Sequence, residues 1–381
     1  MTLKMISLLG FVLAISFLWA VSPSKRTIAA FTPGAKETLL SSDNAYNPIP
    51  SPDGKYIGYV ETGWGRERGS DGMGSSNLIS DVKIMSAVDA SSSHKVLNDF
   101  FLSGWTPEGD RLVCFRDWQF AVVEIDGKQE IAGRIPYDTN QFQAASEWVA
   151  FSPALKTVIW SRWIGGKLRS IETPDRQIAE DSTALWPERP IPSPNGRYIA
   201  VFSEDTFRDP ELRVFDVQRR AWSNLGKIKI HPDREWLYIQ PNWNPWFADS
   251  SRLVFVQGSK LVVAQPDGRK LTQVNIEAAS GLPTASSDGK RIAYITFEPR
   301  PEKARPDLQF WGGTTVMVVS LESRLAPQAV TEKNPDEVYD LKWLDNNTVV
   351  FDRVADELFF RHARIWKASV PKNEFAGKRG S

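Results

Sequence analysis

Seven times along this chain an apolar stretch ends at a short polar turn and re-emerges as an alternating apolar run. The clearest copies are Pro50-Ser51-Pro52-Asp53-Gly54-Lys55-Tyr56-Ile57-Gly58-Tyr59 and Pro192-Ser193-Pro194-Asn195-Gly196-Arg197-Tyr198-Ile199-Ala200-Val201. Weaker copies begin at Trp105, Phe151, Trp246, Ser286 and Trp343. Aligned on the turn, one column reads Ile57, Leu112, Val158, Ile199, Leu253, Ile292, Val349, and all are aliphatic. Two residues further on stand Tyr59, Cys114, Trp160, Val201, Phe255, Tyr294, Phe351. A spacing of two puts both columns on one face of a strand. Between them lie Gly58, Val113, Ile159, Ala200, Val254, Ala293 and Val350, facing the other way. Both faces are apolar, which predicts a sheet packed between two neighbouring sheets.

The turn residues have a physical reason. Tight hairpins need positive φ, which Gly, Asn and Asp reach cheaply, and the preceding Pro cannot donate to a ladder, so it marks a strand's end. Each copy is followed by a second alternating run, such as Val82-Lys83-Ile84-Met85 or Leu212-Arg213-Val214-Phe215, then another turn and a short strand such as Leu271-Thr272-Gln273-Val274. Four antiparallel strands per unit, repeated at a period of a few tens of residues, are the blades of a β-propeller. The fold predicted is all-β, a seven-bladed propeller, with six blades as the alternative. Only one clear strand, Ile365-Trp366-Lys367-Ala368, follows the last copy, so Glu37-Thr38-Leu39-Leu40 is expected to close the ring. An open ring would leave two unpaired edges.

The repeats fill residues 36–370, ahead of a polar tail at 371–381. No second globular domain is expected among the 381 residues, because large all-β rings commonly form one unit. Charge is balanced, 46 basic against 46 acidic residues, so the basic stripe of a nucleic-acid binder is missing. The 15 Trp and 20 Phe suit the wedge between blades. Residues 1–30 hold an uncharged apolar run from Met5 to Val21, which reads as a signal peptide with an uncleaved anchor as the competing reading. Export is expected, to the periplasm or beyond. The lone Cys114 falls in a core column.

At the turns Ser51–Lys55 and Ser193–Arg197 the chain resembles the TolB-type, WD40-like (PD40) propeller repeats of bacterial envelope proteins. The resemblance runs over nearly the whole repeat region and is degenerate at Ser152–Lys156. It implies the fold firmly and a function only loosely. TolB itself carries an α/β domain ahead of a smaller ring, whereas here the first repeat starts near Pro48. Relatives of the prolyl-oligopeptidase kind append a hydrolase, but this chain has no Gly-x-Ser-x-Gly elbow.

Strand order puts the Asp-Gly-Lys turns at one end of the ring and the variable connections, including 62–77, 297–313 and 353–363, at the other. Long loops on a rigid scaffold carry function more often than short uniform turns. Trp64, Arg66, Arg68, Arg116, Asp117, Trp118, Arg162, Trp163, Glu204, Asp205, Arg208, Arg300, Trp311 and Arg353 are the candidate binding face. Trp and Arg bring large contact area with directed polar groups, suited to a protein partner or a sugar ring. The competing reading is of solvated loop residues with aromatics folded onto a blade.

Signals for catalysis are thin. His94, His231 and His362 stand in different blades, no metal or cofactor is expected, and no carboxylate pair can be singled out. The reading favoured is an exported, monomeric, non-catalytic scaffold that docks an envelope protein or a cell-wall glycan. The alternative is a carbohydrate-active lyase or hydrolase in the axial funnel, where Asn47, Glu147, Asn242 and Asp340 precede the inner strands.

Overall fold

The computed structural model describes residues 37–41, 44–68, 74–116, 118–135, 144–164, 168–181, 190–203, 210–229, 243–277, 280–298, 313–322, 326–334, 337–354 and 363–370. Both the N-terminal segment at 1–30 and the tail at 371–381 lie outside them.

The closing strand β1 (Glu37–Leu39) comes first in the chain and belongs to the last blade. Blade 1 holds β2 (Ala45–Pro50), β3 (Tyr56–Arg68), β4 (Gly74–Ser86) and β5 (His94–Leu97), inner to outer. Blade 2 is β6 (Phe101–Trp105), β7 (Arg111–Arg116), β8 (Gln119–Glu124) and β9 (Gln129–Arg134). Blade 3 is β10 (Ala144–Ser152), β11 (Thr157–Ile164), β12 (Leu168–Glu172) and β13 (Gln177–Asp181). Blade 4 is β14 (Ile191–Pro192), β15 (Tyr198–Ser203), β16 (Glu211–Asp216) and β17 (Ala221–Lys227).

Blade 5 has three ladder strands, β18 (Leu253–Gln257), β19 (Lys260–Ala264) and β20 (Lys270–Asn275). Its inner place is taken by the segment around Trp246, held by an antiparallel bridge to Leu253. Pro245 interrupts regular pairing there, though its carbonyl still accepts the Val254 N–H at 2.9 Å. Blade 6 is β21 (Ser280–Ala285), β22 (Arg291–Phe297), β23 (Thr314–Ser320) and the brief β24 (Gln328–Ala329). Blade 7 is β25 (Glu337–Asp345), β26 (Thr348–Val354) and β27 (Arg364–Ser369), completed by β1. All ladders are antiparallel, and the expected closure is present, with Glu37 opposite Ala368, Thr38 opposite Lys367 and Leu39 opposite Trp366.

The second strand of every blade carries the predicted columns, and all of them are buried on both faces. Ile57, Leu112, Ile199, Leu253, Ile292 and Val349 are fully buried, as are Cys114, Val201, Phe255 and Phe351. Each such aliphatic side chain contributes about 1.5–3 kcal/mol relative to exposure. Aromatics fill the widening wedge: Phe120 of blade 2 stacks on Trp160 of blade 3 with centroids 6.2 Å apart, and Tyr198 of blade 4 on Trp246 of blade 5 at 5.9 Å. Burial raises the Cys114 thiol pKa far above its ordinary value, in keeping with a core residue.

Polar bonds register the seams between blades. Trp105 Nε1 donates to Ile49 O at 2.8 Å, Trp246 Nε1 to Ile191 O at 2.9 Å and Trp343 Nε1 to Thr284 O at 2.9 Å. In each case the Trp lies at or near the end of the innermost segment of its blade, and the carbonyl lies two residues before the motif Ser of the preceding blade. Acceptor blades carry Pro50, Pro192 and Ala285 where the donors carry Trp. Trp243 bonds Pro283 O at 2.6 Å, Trp222 bonds Glu180 O at 2.7 Å, and Ser103 Oγ bonds Val149 O. These indoles thus keep their one donor satisfied, whereas Trp160, stacked between blades 2 and 3, has no partner for its Nε1 among the described residues.

Candidate functional site: two ends of the ring

At the turn end, the repeat motif is spent on itself. Ser51 Oγ donates to Asp53 Oδ1 at 2.7 Å and accepts the Tyr56 N–H at 3.0 Å, while Asp53 Oδ1 accepts the Lys55 N–H at 3.1 Å. Ser193, Asn195, Arg197 and Tyr198 repeat this pattern, as do Ser286, Asp288, Lys290 and Arg291. Hydrogen bonds from Lys55 and Ser51 hold the Asp53 carboxyl down to about 2.

These turns also lock against one another. Gly54, at φ 70, has no room for a side chain, since a Cβ would sit 2.9 Å from Leu344 O of blade 7. Gly196 of blade 4 lies likewise against the Ala154 backbone of blade 3. Asn195 N–H donates to Ser250 Oγ at 2.9 Å, and Asp288 N–H to Asn346 Oδ1 at 3.0 Å.

The opposite end is built differently. β3 and β4 run 13 residues each, and their pairing continues past the blade from Thr62–Ser80 out to Arg68–Gly74. The expected loop at 62–77 is therefore mostly a projecting hairpin. Gly63 and Gly65 sit within the ladder opposite Ile79 and Asn77. Beyond Glu61, β3 has no ladder partner on its β2 side among the described residues.

Trp64, Arg66 and Arg68 occupy alternate positions on this hairpin, paired in register with Leu78, Ser76 and Gly74. Arg116 ends β7 on blade 2, exposed and ion-paired with Asp99. Two residues on, Trp118 is half-buried against the core between blades 2 and 3. Arg162 lies in β11 with a side chain 15% exposed, 3.5 Å from the Glu172 carboxylate, which also accepts the Ser170 hydroxyl. Trp163 stands beside it in β11, in register with Ala144 and Arg169. Asp117, Glu204, Asp205, Arg208, Arg300 and Trp311 lie outside the described residues.

Arg353 is a correction. It is 2% exposed in β26, with its Nη2 3.2 and 3.3 Å from the two Glu37 carboxylate oxygens. Glu37 also accepts the Glu332 N–H at 3.2 Å. Burial raises the Glu37 carboxyl pKa against the pull of Arg353 and that N–H. Arg353 thus fastens the closing strand to blade 7 rather than facing a partner.

The funnel residues converge more than their sequence positions suggest. Asn47 N–H donates to Asp352 Oδ2 at 2.9 Å and Asp340 N–H to Asp352 Oδ1 at 2.8 Å. Asn47 Nδ2 reaches Leu102 O of blade 2 at 2.9 Å. Asp352 was missed from the sequence, for it occupies a strand position between Phe351 and Arg353 where nothing marks it. The Glu147 side chain and Asn242 lie outside the described residues. His94 is exposed, with Nε2 3.1 Å from Ile125 O, and His231 and His362 are outside the described set. Among the described residues no three His, Cys, Asp or Glu are grouped to hold a metal.

No protein-family model matches this chain, and no curated protein does. Solved structures do. A chain in the crystal structure of a mitotic checkpoint complex superposes with TM-score 0.50 at 11% identity, covering 89% of this chain and 95% of that one. The likeness is one of fold. A eukaryotic initiation factor structure gives TM-score 0.45 at 15% identity over 87% of this chain and 77% of that one. The tricorn protease gives 0.35 at 13% identity over 81% of this chain, which spans only 28% of the protease.

Proposed function

We propose that this propeller is a non-catalytic binding scaffold of the cell envelope, TolB-like in its repeats, that docks a protein or a cell-wall glycan on its loop end. One observation carries the reading: the two ends differ in how their connections are built. At the turn end, Ser51, Asp53, Asn195, Asp288 and Asn346 bond within their own turns or to the next blade. The loop end instead extends the β3–β4 hairpin beyond its blade, with Trp64, Arg66 and Arg68 at alternate positions. A rigid sheet carrying a projecting hairpin is a common way to present contact residues. Export is supported by the uncharged run from Met5 to Val21.

The test is capture from envelope extract by the chain beside a variant with Trp64, Arg66 and Arg68 changed to Ala, with crosslinking to locate the contact. A partner crosslinked to the hairpin and lost from the variant establishes a docking protein. Equal, empty results from both move the reading to a small ligand in the axial funnel.

A further inference from the structure

The loop-end mouth of the axis holds one buried acceptor that no described group satisfies. Asn47 is 5% exposed and sits in the left-handed region at φ 56, in the bulge where β2 slips its register between Tyr46 and Ile49. Its Nδ2 donates to Leu102 O at 2.9 Å, while its Oδ1 has no hydrogen-bond partner. A carbonyl can only accept, so this contact fixes which amide atom is nitrogen and which is oxygen. The Oδ1 therefore diverges from blade 2.

On the blade 7 side lie two carboxylates. Asp352 is fully buried and is joined to Asn47 through the main-chain N–H at 2.9 Å. Asp340 is 5% exposed, joined to Asp352 through its own N–H, with the Lys342 ammonium 3.7 Å from its Oδ1. Tyr46 senses both: burial raises its phenol pKa most, and the charges of Asp352 and Asp340 push the same way. An unsatisfied amide oxygen can be met by a hydrogen-bond donor or by a cation, and the neighbouring Asp352 and Asp340 carboxylates favour the cation.

We propose that the Asn47 amide oxygen and the Asp340 and Asp352 carboxylates bind a hard cation, calcium or sodium, at the seam between blades 7 and 1. The ligand atoms are all oxygen, and an amide oxygen with carboxylates suits these ions rather than zinc, which takes His and Cys. The seam is the one that β1 closes, so the ion joins the first and last blades at the axis while β1 joins them at the rim. This inference is independent of what docks on the hairpin.

The experiment uses the full chain, stripped with chelator and exchanged into a choline buffer, then melted and titrated calorimetrically with calcium, sodium, potassium and magnesium chlorides in turn. Calcium or sodium is expected to raise the melting temperature saturably, with one site per chain. Asp340→Asn, which keeps the shape, and Asn47→Gly, which keeps the left-handed backbone, should each weaken binding about tenfold or more. Lys342→Met, which removes the neighbouring ammonium, should tighten it about threefold or more, a gain that a variant merely damaged in folding does not produce. Asp53→Asn at the far end should leave affinity unchanged. No shift and no heat with any of the four salts overturns the proposal, as does wild-type affinity retained in Asp340→Asn, Asn47→Gly and Lys342→Met.

Discussion

The turn end and the loop end of this ring are made from the same strands, yet they obey different rules. At the turn end one motif recurs with small changes, and the copies of blades 1, 4 and 6 bond within themselves, with Asn195 reaching Ser250 and Asp288 reaching Asn346 on the neighbouring blade. At the loop end the connections share no motif, and blade 1 projects a hairpin of 13-residue strands while β7 of blade 2 stops at six residues. Uniformity there reflects a packing requirement that every blade must meet, and variety here reflects freedom from it. The contrast also shows where chemistry of the repeat type misleads, because a Ser-Pro-Asp-Gly-Lys turn looks like a polar site and is a structural collar.

The sharpest way to break the comparison is at Arg353, which the sequence assigns to the loop end and the structure to the closing strand. Arg353→Ala should destabilise by about 3–5 kcal/mol, since it strands the Glu37 carboxylate in the interior, and the joint change Arg353→Met with Glu37→Leu should recover most of that in denaturant melts. At the collar, Gly196→Val meets both a positive φ and the Ala154 backbone, for a loss of about 2–4 kcal/mol in the same assay. Retention of wild-type stability would mean that the turns are not packed as described.

Smaller effects sharpen the contrast. Trp105→Phe keeps the ring but removes the indole bond to the Ile49 carbonyl, at about 0.5–1.5 kcal/mol. Asp53→Asn should be nearly neutral at pH 7, because Asn195 already does the same work in blade 4. Its effect is on acid sensitivity. The Asp53 carboxyl is held at about 2 against an ordinary 3.8, so its contribution is present above pH 3.8 and lost as the pH falls through 2. The Asn variant should flatten that part of the melting curve, by less than about 1 kcal/mol for so exposed a group. Least of all, changing Trp64, Arg66 and Arg68 together to Ala should move stability by about 0.5 kcal/mol or less, while abolishing partner capture.

Much of this fold was legible in the sequence. The aliphatic and aromatic columns of the second strands, the seven turns and the closing role of Glu37–Leu39 follow from spacing alone, because a two-residue period and a repeated turn are local properties of the chain. The projecting hairpin was not legible, since Gly63, Gly65 and Gly74 resemble loop residues unless the ladder opposite them is known. The indole staples were half visible. Trp105, Trp246 and Trp343 stand at one place in the repeat, but nothing in the repeat says that their N–H groups cross to the preceding blade.

The sequence by itself determined the blade, its number and its closure, because those depend on which residues alternate and where the chain must turn. Only the tertiary structure decided that Arg353 is interior, that Asn47, Asp340 and Asp352 meet, and that the motif glycines touch the preceding blade. Asn47 and Asp352 lie 305 residues apart, and Glu37 and Arg353 lie 316 apart. Bringing such pairs together is the work of ring closure, and no local pattern encodes which side chains the first and last blades will present to each other.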